Sequence, residues 1–541
     1  MATPEDFDRL TDQSSGVRDA LPGSVTVVAV LLALLLLSPV LWVFASAAEV
    51  DPARAADLLL DPDTLQIVVN SMVLTAGVTA GSLLIGVPLA VLTVQTDLPF
   101  RRFWTVAVSL PLVIPSYVGA FAAVSAFGPR GVLQDVLAPL GVGRLPEIYG
   151  LVGTVVVLTL FTYPYVFLTT RASLLSHDGT VVEAAQTLGH DRWAAFRRVT
   201  LPQIKPGIAA GSLLVALYTL SDFGTPRIMR YDVFTSMIYV EFEIANNVDY
   251  AALLSILLLV LTLGILAWES RVNASREGAH VSSGSRRPGR ISLGTWRWPS
   301  LAFCSSVVFL GLVVPIGILM MWLFRPSPGY ASGGMAFELA YAWNSVFVAG
   351  AAALAAVLVG LPIAYLAARS DSRLGSLPER ASYIGYAMPG VVLGLSLVFL
   401  GLKYVHALYG TVLLLVFAYV VRFVPQAVGT MESSLLQVDP EHVEAARSMG
   451  DSRLRSFFRV TLPQILPGVA AGGALVFLTT MKELPATLLL RPFGFETFVT
   501  YIWKVQEAGY YGEAAVPALI LVAVSGASML VILGKERYNG S

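Results

Sequence analysis

Charged residues are scarce in this sequence of 541 residues. They make up 13% of the chain, against about 25% in an average soluble protein. Hydrophobic residues reach 56%, and the mean hydropathy is +0.72. This excess is too large for a soluble globular core, so a bilayer is expected to surround much of the chain. The net charge of −1 gives no basic surface for nucleic acid, and none is expected as a partner.

Cysteine and histidine are also rare. The single cysteine, Cys304, excludes a disulfide within the chain and a metal cluster built on several cysteines. All five histidines fall in predicted loops or at the ends of apolar segments, so we predict no metal site and no cofactor. No paired carboxylates or Ser/His set lie in the middle of an apolar segment, so we predict no catalytic residue.

The phosphate-binding motif G-x-x-x-x-G-K-[ST] is absent. Of five lysines, only Lys535 follows a glycine, and neither Ser nor Thr comes after it. The backbone cradle that this motif builds around phosphates is therefore missing. We predict that the chain is not an enzyme and that any ATP hydrolysis belongs to a separate protein.

Twelve apolar segments are long enough to cross a bilayer, which requires about 20 apolar residues each. They predict an all-α integral membrane protein. The fifth and eleventh are the weakest, because Asp222 and the pair Lys482 and Glu483 lie near their ends. The predicted spans are 24–47, 67–94, 104–127, 148–171, 207–225, 250–269, 300–324, 343–367, 382–402, 409–431, 467–488 and 514–534.

Basic residues concentrate in alternate loops, from Arg101 near the start to Arg537 near the end. Because such loops stay on the cytoplasmic side, both termini of this multi-pass cell-membrane protein are expected in the cytoplasm. A basic segment rich in Gly and Ser predicts a cytoplasmic linker between two halves. The predicted divisions are a tail at 1–23, a first half at 24–270, the linker at 271–298, a second half at 299–535 and a tail at 536–541.

The two halves repeat each other. Asn70 and Asp97 reappear as Asn344 and Asp371, at one offset (344 − 70 = 274). A longer match begins at Glu183 and Glu444 (444 − 183 = 261). Because six spans per half keep both repeats in one orientation, we predict two parallel six-helix repeats and no need for a second membrane chain.

The longer match predicts a hairpin of two short helices on the cytoplasmic side of each half. Asp178 and Asp439 are placed to cap the first helix at its N-terminus. Gly189 and Gly450 lie where a left-handed C-terminal cap is expected. A structured loop in two equivalent places is suited to bind a partner with two-fold symmetry.

The second helix of each hairpin is expected to end at Pro202 or Pro463, since proline disrupts a helix interior. Leu454, Phe457 and Val460 form an apolar stripe, and arginines occupy the other faces. An alternative is that both hairpins rest on anionic lipid. Lipid binding explains the arginines and the stripe, but not the recurring Ala pair, glycine and proline.

The order Glu-Ala-Ala, three residues, Gly, nine residues, an aliphatic residue, one residue and Leu-Pro resembles the signature of type I ATP-binding-cassette importer permeases. It occurs twice, and the resemblance covers both halves, with cores at about 66–269 and 340–534. It implies a cytoplasmic homodimer of ATPase subunits, an extracytoplasmic solute-binding protein and membrane lipid as partners. The residues implied to contact the ATPase are Glu183, Ala184, Ala185, Gly189, Leu201, Pro202, Glu444, Ala445, Ala446, Gly450, Leu462 and Pro463.

Fused permeases with two halves are typical of iron(III) importers. MKELPATLLLRPFGFETFVTYIW at 481–503 and SDFGTP at 221–226 resemble the fifth-span segments of those importers. The resemblance implies iron(III), free or chelated, as cargo. Related permeases for thiamine, polyamines, molybdate or sulfate share the architecture. A transporter driven by an ion gradient is a further alternative, since it too can have two parallel halves.

Ionisable residues inside spans indicate a candidate translocation path. Asp222 and Glu483 occupy equivalent positions (483 − 222 = 261), with Lys482 beside the latter. Two carboxylates could line one path for a cation. Alternatively, both lie at the outer interface, where Lys482 pairs with Glu483. Arg422, whose counterpart is Phe161, could attract an anionic chelate or pair with a carbonyl or lipid headgroup.

Prolines inside the predicted spans, among them Pro115 and Pro389, can kink helices and help an alternating-access motion. The alternative for the repeated Gly-x-Pro sequences at Gly86 and Gly360 is close helix packing through small residues.

Overall fold

A computed structural model provides the structure of the chain. It describes residues 23–128, 131, 133, 139, 141, 148–176, 184–185, 187–189, 191–274, 291–324, 336–370 and 377–538.

The first half contains eleven described α-helices. They are α1 (Gly23–Ala48), α2 (Pro52–Leu60), α3 (Pro62–Gln95), α4 (Arg101–Ala107), α5 (Ser116–Phe127), α6 (Leu151–Leu175), α7 (Arg192–Ala195), α8 (Leu201–Ser221), α9 (Gly224–Ile228), α10 (Phe234–Glu243) and α11 (Val248–Ala274).

The second half contains twelve described α-helices. They are α12 (Arg297–Val308), α13 (Val314–Phe324), α14 (Leu339–Arg369), α15 (Leu377–Ala387), α16 (Gly390–Lys403), α17 (Val412–Leu435), α18 (Pro440–Ser448), α19 (Arg453–Ser456), α20 (Leu462–Met481), α21 (Pro485–Leu490), α22 (Phe498–Glu507) and α23 (Tyr511–Tyr538).

The helical segments coincide with the predicted spans. Within the described residues, nine helices are long and apolar enough to cross a membrane, and two bent helix pairs raise the number to eleven. A shorter apolar stretch, Tyr511–Ala527, lies at the twelfth predicted segment. The prediction of an all-α, multi-pass membrane protein is confirmed.

Two of the predicted spans, 104–127 and 382–402, are sharply broken. The helices on either side of each break differ in direction by 86° in the first half and by 101° in the second. Pro115 and Pro389 stand at these breaks, with extended backbones (ψ 137° and 142°) just before α5 and α16. Because proline lacks an N–H and cannot continue the helical bonding, the chain turns at these points. The predicted kinks are confirmed there.

The prediction that Pro202 and Pro463 end a helix is wrong. Each lies in the first turn of α8 or α20, directly after a π-helical turn, Phe196–Thr200 or Phe457–Thr461. In this wider turn the N–H of Leu201 bonds to the carbonyl of Phe196, five residues back. The changed bonding register accommodates a residue without an N–H, so the helix continues through the proline.

The first helix of the chain packs against the second half. Helix α1 contacts α14, α15 and α16. The Ser396 hydroxyl donates to the carbonyl of Pro39, and Lys403 forms an ion pair with Glu49. In the opposite direction, Gly311 in the π-helical turn between α12 and α13 lies against Pro111 of the first half. The halves are therefore interlocked.

The repeated Asn-Ser and Asp positions hold connections in place. The Asn70 amide donates to the carbonyl of Asp232, and the Asn344 amide donates to that of Glu496, both at 2.9 Å. In the first half, Asp97 accepts a bond from the N–H of Leu293 at 2.9 Å, near the end of the predicted linker. Its counterpart, Asp371, lies outside the described residues. The repeat thus fixes the segments that follow the fifth and eleventh spans.

Candidate functional site

The fifth and eleventh spans both end in a break that presents a carboxylate. Helix α8 ends at Ser221, and Asp222 accepts a hydrogen bond from the N–H of Thr225 at 2.9 Å. Glu483 stands at the equivalent break after α20 and accepts one from the N–H of Ala486 at 3.3 Å. Each carboxylate therefore satisfies an N–H at the start of the following short helix, where a negative charge is favourable.

In the first half, hydroxyl groups satisfy the buried carboxylate. Asp222 is 8% exposed, and Ser116 at the start of α5 donates its hydroxyl to it. The Tyr218 hydroxyl donates in turn to Ser116 Oγ at 3.0 Å. No cation in the described part of the chain forms an ion pair with Asp222. The breaks of the third and fifth spans therefore meet at this carboxylate.

In the second half, a guanidinium group satisfies the buried carboxylate of Glu483. Arg422 Nη1 lies 3.1 Å from Glu483 Oε1, and the glutamate is 7% exposed. Gly390 stands where the first half has Ser116 (390 − 116 = 274). A Cβ atom on Gly390 would overlap both the guanidinium and the carboxylate. The absence of a side chain at this position leaves the space that the ion pair occupies.

The counterpart of Arg422 is the apolar residue Phe161, and the glycine that makes room for its side chain is Gly119. The ring of Phe161 is buried and lies against Gly119, where a Cβ atom would overlap it. The two halves have therefore diverged in a compensated way. One combines a serine with a phenylalanine, and the other combines a glycine with an arginine.

The structure differs from the alternatives left open for the charged residues. The suggested ion pair between Lys482 and Glu483 is wrong, because Arg422 pairs with Glu483. Arg422 thus has a carboxylate partner, whereas the sequence suggested a carbonyl, a headgroup or a chelate. Lys482 is half-buried, and no described carboxylate forms an ion pair with it. The sequence signal for this ion pair was that positions 390 and 422 differ from their counterparts in the first half, Ser116 and Phe161.

Tyr117 was missed by the sequence analysis. It follows Ser116, and its buried phenol oxygen has no hydrogen-bond partner among the residues that the structure describes. It lies against Gly224, which also faces Leu484 of the second half. The ring centroid of Phe223 lies 5.0 Å from that of Trp503 in the other half, with the ring planes tilted by 37°. Both halves thus contribute to one oxygen-containing cluster with an aromatic edge.

No resident metal site is apparent in the described part of the chain, which has no group of three or more His, Cys, Asp or Glu side chains that could hold an ion. The oxygen atoms near Asp222 come from a carboxylate and hydroxyl groups, the ligand types that hard cations prefer.

The helical hairpins lie at the opposite ends of α8 and α20 from the carboxylates. In the second half, Asp439 caps α18 by accepting a bond from the N–H of Glu441 at 2.9 Å, which confirms the predicted cap. Gly189 and Gly450 have φ angles of 86° and 97°, which confirms the predicted left-handed conformation. Asp178 lies outside the described residues.

The Ala pairs of the two hairpins are arranged alike. Ala185 and Ala446 are buried, whereas Ala184, Ala445 and Glu444 are exposed. Glu183 lies outside the described residues.

Both hairpins also present an apolar side chain to the outside. Leu188 and Met449, at equivalent positions, are 81% and 83% exposed. The residues of the predicted apolar stripe are not all buried on one face. Leu454 is exposed, whereas Phe457 packs edge-on against the ring of Tyr365. Each hairpin therefore has an exposed apolar tip beside its glycine.

The helix geometry connects each hairpin to a carboxylate. Leu201 and Pro202 begin α8, and Leu462 and Pro463 begin α20. From Arg453 to Met481 the chain is helical over 29 residues, a length of about 40 Å. One continuous helix thus connects the hairpin to the break beside Glu483.

Comparison with known proteins identifies relatives of both halves. The family described as binding-protein-dependent transport system inner membrane component matches residues 82–268 and 360–534. The Fe(3+)-transport system permease protein FbpB 2 of Haemophilus influenzae is 32% identical over 513 residues, which cover 94% of this chain and 98% of that protein.

Two further relatives are more distant. The ferric transport system permease protein FbpB of Actinobacillus pleuropneumoniae is 25% identical, over 91% of this chain and 74% of its own length. The molybdenum transport system permease protein ModB of Escherichia coli is 27% identical over 41% of this chain and 99% of its own length. That relative therefore corresponds to a single half.

Proposed function

The chain belongs to the family of binding-protein-dependent transport system inner membrane components, and from this premise we propose that it is the permease of an ATP-driven iron(III) importer. The observation that carries the proposal is the 32% identity to an Fe(3+)-transport permease over both halves. A solute-binding protein delivers the cargo from outside, and a separate ATPase dimer supplies the energy.

The buried cluster between the halves supports a hard cation as cargo. Asp222 has a carboxylate without a cationic partner in the described residues, and Ser116 and Tyr218 add hydroxyl oxygen atoms through their hydrogen-bond chain to it. Iron(III) prefers such oxygen ligands. We assign the translocation path to this region, with Asp222, Arg422, Lys482 and Glu483 along it. An oxyanion such as molybdate is the second candidate, favoured by the relative that matches one half.

The hairpins are assigned to contact with the ATPase. Their exposed tips carry Leu188 and Met449 beside glycines in the left-handed conformation. One ATPase subunit would bind under each half and move the hairpin when the ATPase dimer closes. The residues assigned to this contact are Glu183, Ala184, Ala185, Gly189, Leu201, Pro202, Glu444, Ala445, Ala446, Gly450, Leu462 and Pro463.

The transport cycle follows from the connection between hairpin and carboxylate. Each hairpin leads through a continuous helix to the break at the far end of that helix, beside a buried carboxylate. Rotation of these helices would separate the two breaks and open the buried cluster alternately to either side. Both termini are placed in the cytoplasm, on the side of the hairpins and of most arginines.

The test is reconstitution of the chain with its ATPase and binding protein in proteoliposomes. Iron(III) loaded on the binding protein should stimulate ATP hydrolysis and accumulate inside, whereas molybdate, sulfate and thiamine should not. Stimulation by one of those solutes and not by iron(III) would refute the assigned cargo. Uptake that persists without the ATPase and disappears with an ionophore would instead indicate a transporter driven by an ion gradient.

A further inference from the structure

A cavity of about 330 Å³ lies between the halves, at the end of the protein opposite the hairpins. Its volume is within the range of small-molecule sites, about 300–1,000 Å³. The first half contributes Tyr149, Arg227 and Arg230, and the second half contributes Gln506 and Glu507 among other residues. Two guanidinium groups thus face one space with a single carboxylate.

Neither arginine forms an ion pair within the described part of the chain. The ion pairs of that part join other residues, among them Arg54 with Asp249 and Arg491 with Glu496. Their counterparts in the second half differ: Arg227 corresponds to Leu488, and Arg230 to Arg491, which forms an ion pair with Glu496. The excess positive charge is therefore particular to this side of the cavity.

Arg230 has an unusual backbone. Its φ angle is 54°, a left-handed conformation found at only three non-glycine residues of the described chain. Such a conformation costs an L-residue roughly 1–2 kcal/mol and is often associated with functional sites. The guanidinium carbon of Arg230 lies 4.6 Å from the centroid of the Tyr149 ring. The aromatic face holds the charged group at the cavity.

The second half supplies polar groups that complement these charges. The side-chain oxygen of Gln506 is buried without a hydrogen-bond partner in the described residues, and an amide can donate as well as accept. Burial raises the pKa of the Glu507 carboxyl, and the nearby Arg227 lowers it. Glu507 therefore opposes part of the positive charge from one side.

We propose that this cavity binds a small oxyanion, phosphate or a polycarboxylate, through Arg227 and Arg230. Guanidinium groups bind such anions strongly because they donate paired hydrogen bonds to two oxygen atoms. The assignment to the cargo rests on the proposed function: iron(III) hydrolyses in neutral water unless oxyanion ligands hold it. An arriving ferric complex would present an anionic ligand to the arginines before the metal reaches the buried carboxylates.

The experiment is calorimetric titration of the purified full chain in lipid nanodiscs. The probes are inorganic phosphate, citrate and ferric citrate, with chloride as reference. Arg227→Gln and Arg230→Gln should each weaken oxyanion binding by about tenfold, the equivalent of one charged hydrogen bond. Arg54→Gln is the matched control, because it removes one arginine from the same end of the protein, outside the cavity, and binding should not change.

A variant with increased affinity for the anion serves as a control for misfolding, because a misfolded protein would not bind more tightly. Glu507→Gln removes the carboxylate that opposes the anion, so this variant should bind phosphate and citrate several-fold more tightly than the unaltered chain. The proposal would be overturned if none of the three substitutions changed the affinity, or if no probe bound at millimolar concentration. Tighter binding of ferric citrate than of citrate assigns the site to the cargo, and equal binding assigns it to the free anion.

The two proposals can fail separately. If iron(III) does not stimulate ATP hydrolysis but phosphate still binds in a manner that depends on Arg227 and Arg230, the iron assignment fails and the anion site stands. If iron(III) is transported but no probe binds the cavity, the reverse holds.

Discussion

The guanidinium of Arg422 lies 3.1 Å from the carboxylate of Glu483, 61 residues further along the chain. In the first half, the corresponding positions hold Phe161 and Asp222, and no described cation pairs with that carboxylate. The two equivalent carboxylates of the repeat therefore differ in charge balance. Glu483 is neutralised by a neighbour, whereas Asp222 is held by the Ser116 hydroxyl and the N–H of Thr225.

The ion pair between Arg422 and Glu483 should be strongly coupled. Removal of one partner from a buried pair leaves a buried charge without compensation, at a cost of about 3–5 kcal/mol. Arg422→Gln should therefore destabilise the protein by this order, and adding Glu483→Gln should restore much of the loss. Equilibrium unfolding of the single and double variants in mixed micelles measures this coupling.

An exposed ion pair serves as the control for this cycle. Arg54 and Asp249 are also 3.1 Å apart, but their side chains are 58% and 43% exposed. The same pair of substitutions there should show a coupling of about 0–1 kcal/mol. Equal coupling energies in the two cycles would contradict the interpretation that burial makes the Arg422 pair important.

Asp222→Asn should separate transport from stability. The amide oxygen can still accept the bond from the N–H of Thr225, and the amide NH2 group can donate to the Ser116 oxygen, so folding should be retained. The negative charge is lost, and uptake of iron(III) in proteoliposomes should fall by about tenfold or more, equivalent to at least ~1.4 kcal/mol. The control is Asp232→Asn, since Asp232 is exposed and lies ten residues further along the chain, on the other side of α9. Normal uptake by the Asp222 variant would remove this carboxylate from the path.

The fold could be predicted from the sequence where the signal is local. Apolar segments of sufficient length predicted the membrane helices, of which nine to eleven are found among the described residues, and the repeat predicted two halves in parallel orientation. The breaks could not be assigned to particular prolines. Pro164 lies inside a continuous helix, whereas Pro115 stands at a bend of 86°. The tertiary surroundings decide between these outcomes, because neighbouring groups must satisfy the backbone that a break exposes.

The site was predicted in part. Ionisable residues inside the predicted spans identified the four candidate residues. Their hydrogen-bond and ion-pair partners depend on contacts between segments far apart in sequence, which the sequence does not reveal. The four residues are Asp222, Arg422, Lys482 and Glu483. Ser116 lies 106 residues from Asp222. The sequence alone does not mark Gly390 as part of the site, because glycine has no functional group. The structure shows its role, since a side chain there would overlap the guanidinium of Arg422. Departure from an internal repeat is the signal that sequence reasoning could use for such positions.

Substitution of the hairpin glycines should uncouple transport from ATP hydrolysis. Gly189 and Gly450 have positive φ angles, and a Cβ atom at either would meet no other atom within 4 Å. Gly→Val at both therefore acts through backbone strain, about 1–2 kcal/mol per position, and through bulk at the exposed tip. The double variant should insert in the membrane normally, yet ATP hydrolysis in the reconstituted complex should no longer drive uptake.

Gly410→Val is the matched control for the hairpin experiment. Gly410 also has a positive φ angle, 68°, and open space around it, but it lies in the connection between α16 and α17. The strain is similar and the hairpins are untouched, so coupled uptake should persist. Full uptake by the variant altered at Gly189 and Gly450 would refute the assignment of the hairpins to the ATPase.

The interlocked halves should assemble even when the chain is cut. If the chain is divided within 275–290 and the fragments are co-expressed, a tag on the second should recover the first. Helix α1 lies against α14, α15 and α16 of the second half, where Ser396 bonds to the carbonyl of Pro39. Removal of residues 1–50 from the first fragment should sharply reduce recovery, because it exposes this face of the second half. Equal recovery with and without α1 would show that contacts among the remaining helices, such as Phe223 with Trp503, hold the halves together.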